Sequence, residues 1–283
     1  YLVDHMTFTT YLSLSKQDTQ YDVVYLDECH SLLESHEPWL DSYKGNILGL
    51  TGTKPRHTKS TKGRMVSKFC PILYEYKTDE AVKDKVINDY IIIIHMLSLD
   101  TRKNILMHNK DKTKSWYSSE QAIYDYWTNR IEEAISVKEL QIMRVMRMKA
   151  MMTFPSKEDL AKALLCEIED KVLVFANTQE QADRFGIASY HSNNPKSGEN
   201  LEKFKKGIIT ELSAVLQLSE GINIPDLKEG ILLHAYGNER KAAQRIGRLM
   251  RLNPDDKAVI RVLCYRDTVD VTWVKSALEG FDQ

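Results

Sequence analysis

Two adjacent carboxylates, Asp27 and Glu28, come directly after the apolar run VVYL at residues 23–26. A buried strand that ends in two acids has two interpretations. Carboxylates at a helix start are stabilised by exposed N–H groups and by the helix dipole, so the pair suits the cap of a following helix. A strand-terminal Asp also suits Mg²⁺ on nucleotide phosphates, with the adjacent Glu accepting a proton from attacking water. The motif alone favours neither interpretation.

Arginines recur at a helical spacing near the other end of the chain. In QRIGRLMR, Gln244 is followed by Arg245, Arg248 and Arg251, which lie three residues apart and project from one helix face. A solvated basic face is normally interleaved with glutamates, and the sequence has none from Arg240 to Arg251. Fixed guanidinium groups suit the phosphoryl oxygens of a transition state. The pattern therefore favours a phosphate contact over a solvated face.

A polar loop, SEGINIPDL at residues 219–227, follows the apolar run SAVLQL. Gly221 permits a tight turn and Pro225 stiffens the exit, so an ordinary connection explains the loop. Ser219 and Asn223 also suit contacts to a ribose or to a backbone phosphate. Both interpretations remain open from these residues alone.

Short apolar strands alternate with helical segments, which predicts an α/β fold with parallel sheets. YDVVYL and ILGLTG both end in polar residues, at the sheet edge where open α/β folds bind ligands. The alternation is regular after residue 171 and predicts a doubly wound domain over residues 171–283, joined by a fully buried strand at 91–97. Between its first two strands, Thr178 is expected to cap a helix and Gly186 to end it.

The stretch from residue 115 to residue 169 is predicted to be mostly helical. Within it, Arg144, Arg147 and Lys149 lie among five methionines. A methionine-rich core helix with these basic residues on its outer face is the preferred interpretation, and nucleic-acid contact is the alternative.

Composition sets limits on the class of protein. In 283 residues, Lys+Arg 39 nearly balance Asp+Glu 40, so the net charge of -1 argues neither for nor against a nucleic-acid partner. The four cysteines lie far apart without a C-x-x-C pair, as expected for reduced thiols in a cytosolic protein. The longest apolar run, IIIIHML, is shorter than the roughly 20 residues that a membrane helix needs. We expect a soluble, cytoplasmic protein.

Five segments taken in order resemble motifs II to VI of superfamily 2 helicases. They are DECH at Asp27–His30, TGT at Thr51–Thr53, VLVFANT at Val172–Thr178, SEGINIP at Ser219–Pro225 and QRIGRLMR at Gln244–Arg251. TFTTYLS at residues 7–13 resembles the strand-contacting motif Ib of the same family. Within that superfamily, these motifs are similar to those of phage and bacterial ATP-dependent DNA helicases and translocases of the restriction-enzyme-motor and UvsW-like type.

This resemblance implies RecA-like parallel sheets in two domains. Residues 1–77 would form the C-terminal part of the first domain, residues 78–170 a connecting strand and a helical insertion, and residues 171–283 a complete second domain. ATP and Mg²⁺ are the implied cofactors. The implied partner is a nucleic-acid strand, DNA rather than RNA, and no membrane is implied. The protein would be monomeric or loosely associated, and it would work with replication or recombination proteins.

The resemblance also implies roles for single residues. Asp27 would hold Mg²⁺ and Glu28 would activate water, while His30, Thr51 and Thr53 would couple the nucleotide to domain movement. The remaining catalytic and nucleotide-binding positions are Gln244, Arg248 and Arg251, and Gly221, Asn223 and Arg245. The implied strand contacts are Thr9, Thr10, Asn177, Thr178 and Ser219.

Three features depart from the family pattern. Asn223 stands where the family usually has Asp, and the threonine common earlier in motif V is not evident in SAVLQL. No glycine in the sequence is followed by lysine, so the phosphate-binding loop G-x-x-x-x-G-K-[ST] is missing. We expect that loop upstream of Tyr1, and we expect these 283 residues alone to be inactive.

The sequence thus predicts an ATP-dependent helicase or translocase that moves on DNA or unwinds it. The alternative is a nucleic-acid-binding or regulatory helicase-like module without ATPase activity, because its phosphate-binding loop is absent or belongs to another chain.

Overall fold

A computed structural model of the protein describes residues 5–52, 55, 58–86, 88–109, 111–215, 224–235, 256–278 and 281. The chain divides into two compact units, Tyr1–Tyr76 and Lys77–Gln283. Each unit has its own hydrophobic core.

Unit 1 is built around two parallel strands. Its strands and helices are β1 (Val23–Leu26), α1 (Glu37–Ser42), β2 (Asn46–Gly49) and α2 (Thr61–Phe69), with 3-10 turns at Tyr11–Lys16, Cys29–Ser31 and Glu34–His36. β1 pairs with β2 in parallel, with Leu26 opposite Gly49. Ser60 is the N-cap of α2: its hydroxyl oxygen accepts the amide hydrogen of Gly63.

The two faces of this small sheet differ sharply. Leu26 lies in the core of unit 1, beside Leu32, Trp39 and Met65. Because successive side chains in a strand point to opposite faces, the neighbouring positions point the other way. Tyr25 is 64% exposed there and Leu48 is 42% exposed. One face of the β1–β2 sheet is therefore covered and the other is open to solvent.

Unit 2 contains a larger sheet with its helices. The elements are α3 (Thr78–Lys83), β3 (Asp89–Leu97), β4 (Ile105–His108), β5 (Ser115–Ser118), α4 (Glu120–Glu132), α5 (Val137–Met152), α6 (Pro155–Glu167), β6 (Val172–Phe175), α7 (Gln179–Asp183), β7 (Ala188–Tyr190), α8 (Ser197–Lys205), β8 (Glu211–Ala214), β9 (Glu229–Leu232), β10 (Lys257–Tyr265) and α9 (Val269–Ala277). Within the described ranges, no helix is long and apolar enough to cross a bilayer.

The described part of this sheet has six parallel strands in the order β3-β10-β9-β6-β8-β7. The central strand β6 is buried on both faces. Leu173 and Phe175 pack with residues of α8 and α9, whereas Val172 and Val174 pack with residues of α6 and α7. Helices on both faces of a parallel sheet explain why β6 is continuously apolar. The predicted α/β fold is confirmed.

Two local predictions were wrong. The 91–97 strand is not fully buried: it belongs to β3, an edge strand of the described sheet, and Ile94 is 44% exposed. The prediction that residues 115–169 are mostly helical is confirmed by α4, α5 and α6, although Ser115–Ser118 at the start pairs with β4 as an antiparallel hairpin. α5 is not a core helix, since only its last two residues, Met151 and Met152, are buried. Arg144 and Lys149 are exposed as predicted, whereas Arg147 donates to the Thr128 hydroxyl at 3.1 Å and lies over the ring of Tyr124.

A buried ion pair connects α6 and α9 near the carboxyl ends of β9 and β10. The ammonium of Lys157 lies 2.5 Å from a carboxylate oxygen of Asp270, and both residues are 0% exposed. Lys157 also donates to the Leu233 carbonyl at 2.9 Å, and the Tyr265 amide donates to the same Asp270 oxygen at 2.9 Å. Burial lowers the pKa of Lys157, and the Asp270 carboxylate opposes this shift. Each charge therefore depends on the other for compensation.

We expect Lys157→Met to destabilise unit 2 by about 3–5 kcal/mol, because it leaves the Asp270 carboxylate buried without its cation. The measurement is chemical denaturation followed by far-UV circular dichroism. Lys203→Met is the matched control: its ion pair with Glu199 is exposed at the surface, and its loss should cost less than about 1 kcal/mol. Equal effects of the two substitutions would contradict a structural role for the buried pair.

Candidate functional site

The carboxyl ends of β1 and β2 bring the first candidate residues together. Asp27 and Glu28 follow β1, and Thr51 follows β2 by two residues. Because the strands are parallel, both ends lie at the same edge of the sheet. The structure thus places Asp27, Glu28 and Thr51 at one site within unit 1.

Residues 27–31, called the acidic turn below, depart from the regular strand ladder. Leu50 donates its amide hydrogen to the Leu26 carbonyl at 2.9 Å, and a regular parallel ladder would next bring in the amide of residue 28. The amide of Cys29 instead donates to the Leu50 carbonyl at 2.9 Å. One extra residue is accommodated, and Glu28 takes a left-handed conformation with φ 50°.

The Glu28 carboxylate belongs to a three-residue hydrogen-bond network. The Thr51 hydroxyl donates to Oε2 of Glu28 at 3.2 Å. The Nδ1 atom of His30 lies 2.6 Å from that hydroxyl oxygen and 3.0 Å from the same carboxylate oxygen. A hydrogen on His30 Nδ1 can be donated to either of these two oxygens. The buried His30 thereby joins the ends of β1 and β2 through the acid.

The acids do not cap an α-helix. The acidic turn leads into a 3-10 turn at Cys29–Ser31, and the next α-helix begins at Glu37. Glu28 occupies the N-cap position of that turn, but its side chain makes no capping hydrogen bond. The Asp27 carboxylate accepts the amide hydrogen of its neighbour Glu28 at 3.0 Å, which is a local contact. The helix-cap interpretation is therefore wrong for Glu28.

The donor set of the acidic turn fits Mg²⁺ with a nucleotide. Mg²⁺ prefers oxygen ligands and usually takes one or two carboxylates, several waters and substrate phosphates. Asp27 is exposed and Glu28 is partly exposed, so both carboxylates are accessible. Among the described residues, no group of three or more His, Cys, Asp or Glu side chains is placed to hold a metal ion. Asp27 is thus suited to hold the ion with phosphates, and Glu28 to accept a proton from water.

Gly49 packs tightly beneath the acidic turn. A methyl group at Gly49 would lie 2.7 Å from both Cβ and Sγ of Cys70, and 3.0 Å from Sγ of Cys29. Burial raises the pKa of the Cys29 thiol, and it raises that of Cys70 to about 12, so both remain neutral. The two thiols act here as small packing groups between β2, α2 and the turn.

We expect Gly49→Ala to destabilise unit 1 by about 1–3 kcal/mol, because the added methyl group overpacks this contact. Gly52→Ala is the control, since a methyl group at Gly52 would meet nothing within 4 Å. The urea dependence of hydrogen exchange in peptides from unit 1 measures the effect. A Gly49→Ala protein as stable as Gly52→Ala would show that the contact is loose.

The residues predicted to contact a nucleic-acid strand lie in both units. In unit 1, Thr9 and Thr10 are exposed and precede the 3-10 turn Tyr11–Lys16. In unit 2, Asn177 and Thr178 follow β6. Thr178 caps α7 by accepting the Gln181 amide hydrogen at 3.1 Å, as its sequence position predicted.

Asn177 has an unusual side-chain environment. Its backbone amide donates to the Gln181 side chain at 2.9 Å, but its own Nδ2 is buried and has no acceptor among the described residues. A buried donor without an acceptor is costly, so a ligand oxygen at this position would be favourable.

Several predicted positions lie outside the described residues. They are Thr53, Ser219, Gly221, Asn223, Gln244, Arg245, Arg248 and Arg251. Their roles remain predictions from the sequence.

One residue of the site, Tyr11, was not predicted from the sequence. Its hydroxyl donates to the backbone carbonyl of Asp27 at 2.7 Å. Tyr11 lies in the TFTTYLS segment, directly after Thr9 and Thr10, but an aromatic residue at that position carries no signal of such a contact. Only the folded structure shows that this segment reaches the acidic turn.

Comparison with known proteins identifies the class of the second unit. Residues 155–253, within unit 2, match the family model of the helicase conserved C-terminal domain. The match supports the sequence-based resemblance to helicases in this part of the chain.

A relative and two solved structures extend the comparison. The DNA 3'-5' translocase XPB2 of Sulfurisphaera tokodaii is 27% identical over 122 residues, which cover 41% of this chain and only 28% of the relative. The ATP-dependent Type ISP restriction-modification enzyme LlaBIII bound to DNA is similar in structure with a TM-score of 0.57 and 14% identity, over 96% of this chain and 21% of that one. The Hef helicase domain of Pyrococcus furiosus gives a TM-score of 0.48 and 14% identity, over 90% and 73%. The LlaBIII match shows a shared fold alone.

Proposed function

We propose that the protein is an ATP-dependent DNA translocase or helicase of superfamily 2, in which the acidic turn is the hydrolytic centre. The observation that supports this most directly is the Glu28–Thr51–His30 network at the carboxyl ends of two parallel strands. The match of residues 155–253 to the helicase C-terminal family model supports the class. DNA is proposed over RNA because the relative is named as a DNA translocase.

In this proposal the acidic turn supplies the chemistry of hydrolysis. Asp27 holds Mg²⁺, which neutralises charge on the ATP phosphates when bound. Glu28 accepts the proton of the attacking water, and His30 and Thr51 keep its carboxylate in place. His30, Thr51 and Thr53 would also couple the nucleotide to domain movement.

The proposal also gives roles to the other residues that the resemblance implies. Arg248 and Arg251 would contact the γ-phosphate, and Gln244 would bridge the motifs. Gly221, Asn223 and Arg245 would contact the nucleotide. Thr9, Thr10, Asn177, Thr178 and Ser219 would bind the strand, chiefly through its phosphates, and therefore with little sequence preference. We propose that the protein works in the cytoplasm, as a monomer or in loose association, with replication or recombination proteins.

We expect Glu28→Gln to lower kcat for DNA-stimulated ATP hydrolysis by at least about 100-fold in the full-length protein, because the amide cannot accept the proton. Nucleotide should remain bound. Filter binding of labelled ATP and a phosphate-release assay measure the two effects.

Glu34→Gln provides the matched control for this substitution. Glu34 lies in the same unit, on the surface, where it pairs with Arg64. Its substitution should leave turnover unchanged. Normal turnover by the Glu28→Gln protein would refute the role of Glu28 as the base.

We expect Asn177→Ala to weaken binding of single-stranded DNA by about three- to tenfold, because it removes a buried donor available to a phosphate oxygen. Binding is measured by fluorescence anisotropy with several oligonucleotide sequences, and the loss should be similar for all of them. Asn193→Ala, at an exposed position of the same unit, is the control. Unchanged affinity in the Asn177→Ala protein would exclude this contact.

One sequence observation favours a second candidate function. Because no glycine in the 283 residues precedes lysine, the sequence holds no phosphate-binding loop of the G-x-x-x-x-G-K-[ST] type. A strand-binding or regulatory module without its own ATPase activity is consistent with that observation. Strand binding without any DNA-stimulated ATP hydrolysis by the full-length protein would favour this candidate.

A further inference from the structure

Tyr11 links two parts of unit 1 that the proposed function treats separately. It directly follows Thr9 and Thr10, the exposed residues proposed to contact the strand. Its hydroxyl donates to the backbone carbonyl of Asp27 at 2.7 Å, sixteen residues along the chain. A strand-contacting segment is therefore hydrogen-bonded to the backbone that carries the two acids.

The Tyr11 hydrogen bond is made at a turn whose backbone departs from the regular strand geometry. The acidic turn accommodates one extra residue between the bonded amides of Leu50 and Cys29, and Glu28 has φ 50°. A left-handed conformation is uncommon for a residue other than glycine, and it persists only where surrounding contacts hold it. On the β2 side the turn is held by the Cys29 amide at the Leu50 carbonyl. On the other side, Tyr11 holds the Asp27 carbonyl.

The Tyr11 side chain is itself fixed in position. Its ring packs against the core of unit 1 and lies 5.5 Å from the ring of His36. A tyrosine hydroxyl ordinarily has a pKa of about 10. The hydroxyl is therefore protonated at neutral pH and remains a donor.

We propose that Tyr11 is a positioning residue that couples strand binding at Thr9 and Thr10 to the conformation of the acidic turn. A strand held at Thr9 and Thr10 fixes the start of the 3-10 turn Tyr11–Lys16, and the Tyr11 hydroxyl transmits that position to the Asp27 carbonyl. Glu28 is then held where it can accept a proton. This inference rests on the proposed function, and it identifies how the strand stimulates hydrolysis.

Tyr43 provides a matched control within the same unit. It belongs to the same core, and its hydroxyl also donates to a backbone carbonyl, that of Asn46, at 3.3 Å. Its ring stacks on Trp39 at 5.5 Å. Tyr43→Phe thus removes a similar bond from a similar ring, but at the start of β2 and away from the acidic turn.

The first test compares Tyr11→Phe with Tyr43→Phe in the full-length protein. For Tyr11→Phe we expect kcat at saturating single-stranded DNA to fall about tenfold, as the loss of one well-formed hydrogen bond allows. The KM for ATP and the Kd for the oligonucleotide should stay within about twofold. Tyr43→Phe should leave all three parameters near those of the wild type. A proportional loss of binding and turnover, or equal effects of the two variants, would overturn the inference.

The second test reads the coupling without hydrolysis, by hydrogen exchange at the amides of Cys29 and Ser31. Adding a single-stranded oligodeoxynucleotide should slow this exchange in the wild type and in Tyr43→Phe, but not in Tyr11→Phe. A wild type without ATPase activity that still shows this pattern would refute the proposed function and leave the coupling intact. No strand-induced change in the wild type, or the same change in Tyr11→Phe, would overturn the coupling itself.

Discussion

The hydrogen bond from the Cys29 amide to the Leu50 carbonyl determines the geometry of the candidate site. Since it forms one residue later than a regular ladder requires, the chain must accommodate an extra residue at the end of β1. Glu28 becomes left-handed, and its carboxylate reaches the Thr51 hydroxyl. The small contact surface of Gly49 lets Cys29 and Cys70 pack beneath this arrangement. With a regular ladder register, Glu28 would not have this left-handed conformation.

Unit 2 differs from unit 1 because its central strands are covered on both faces. The apolar side chains of β6 alternate between two helix layers, so few polar groups can enter the interior. The Lys157 ammonium is one buried charge that is paired, with the Asp270 carboxylate. The pair lies near the carboxyl ends of β9 and β10, which keeps its polar groups at the sheet edge where ligands bind in such folds.

Hydrophobic periodicity was sufficient to predict the α/β fold and the position of the two acids at a strand end. The Thr178 cap was also predicted, from the residue type and its position before a helix, because that signal is local in sequence. The errors came from non-local effects: β3 reads as a buried strand, but its exposure depends on having only β10 beside it in the described sheet. The Tyr11 contact and the Glu28 conformation likewise depend on chain segments brought together by folding, so no local pattern contains them.

The open face of the β1–β2 sheet has a consequence for the behaviour of this polypeptide in solution. Val23, Tyr25, Leu48 and Leu50 are exposed large apolar residues on or just after the two strands. Parallel sheets are normally covered on both faces, and uncovered apolar surface beside unpaired strand edges promotes association between molecules. Unit 1 prepared by itself is therefore expected to have low colloidal stability, with solubility that falls as its concentration rises and improves when a polar side chain replaces Tyr25.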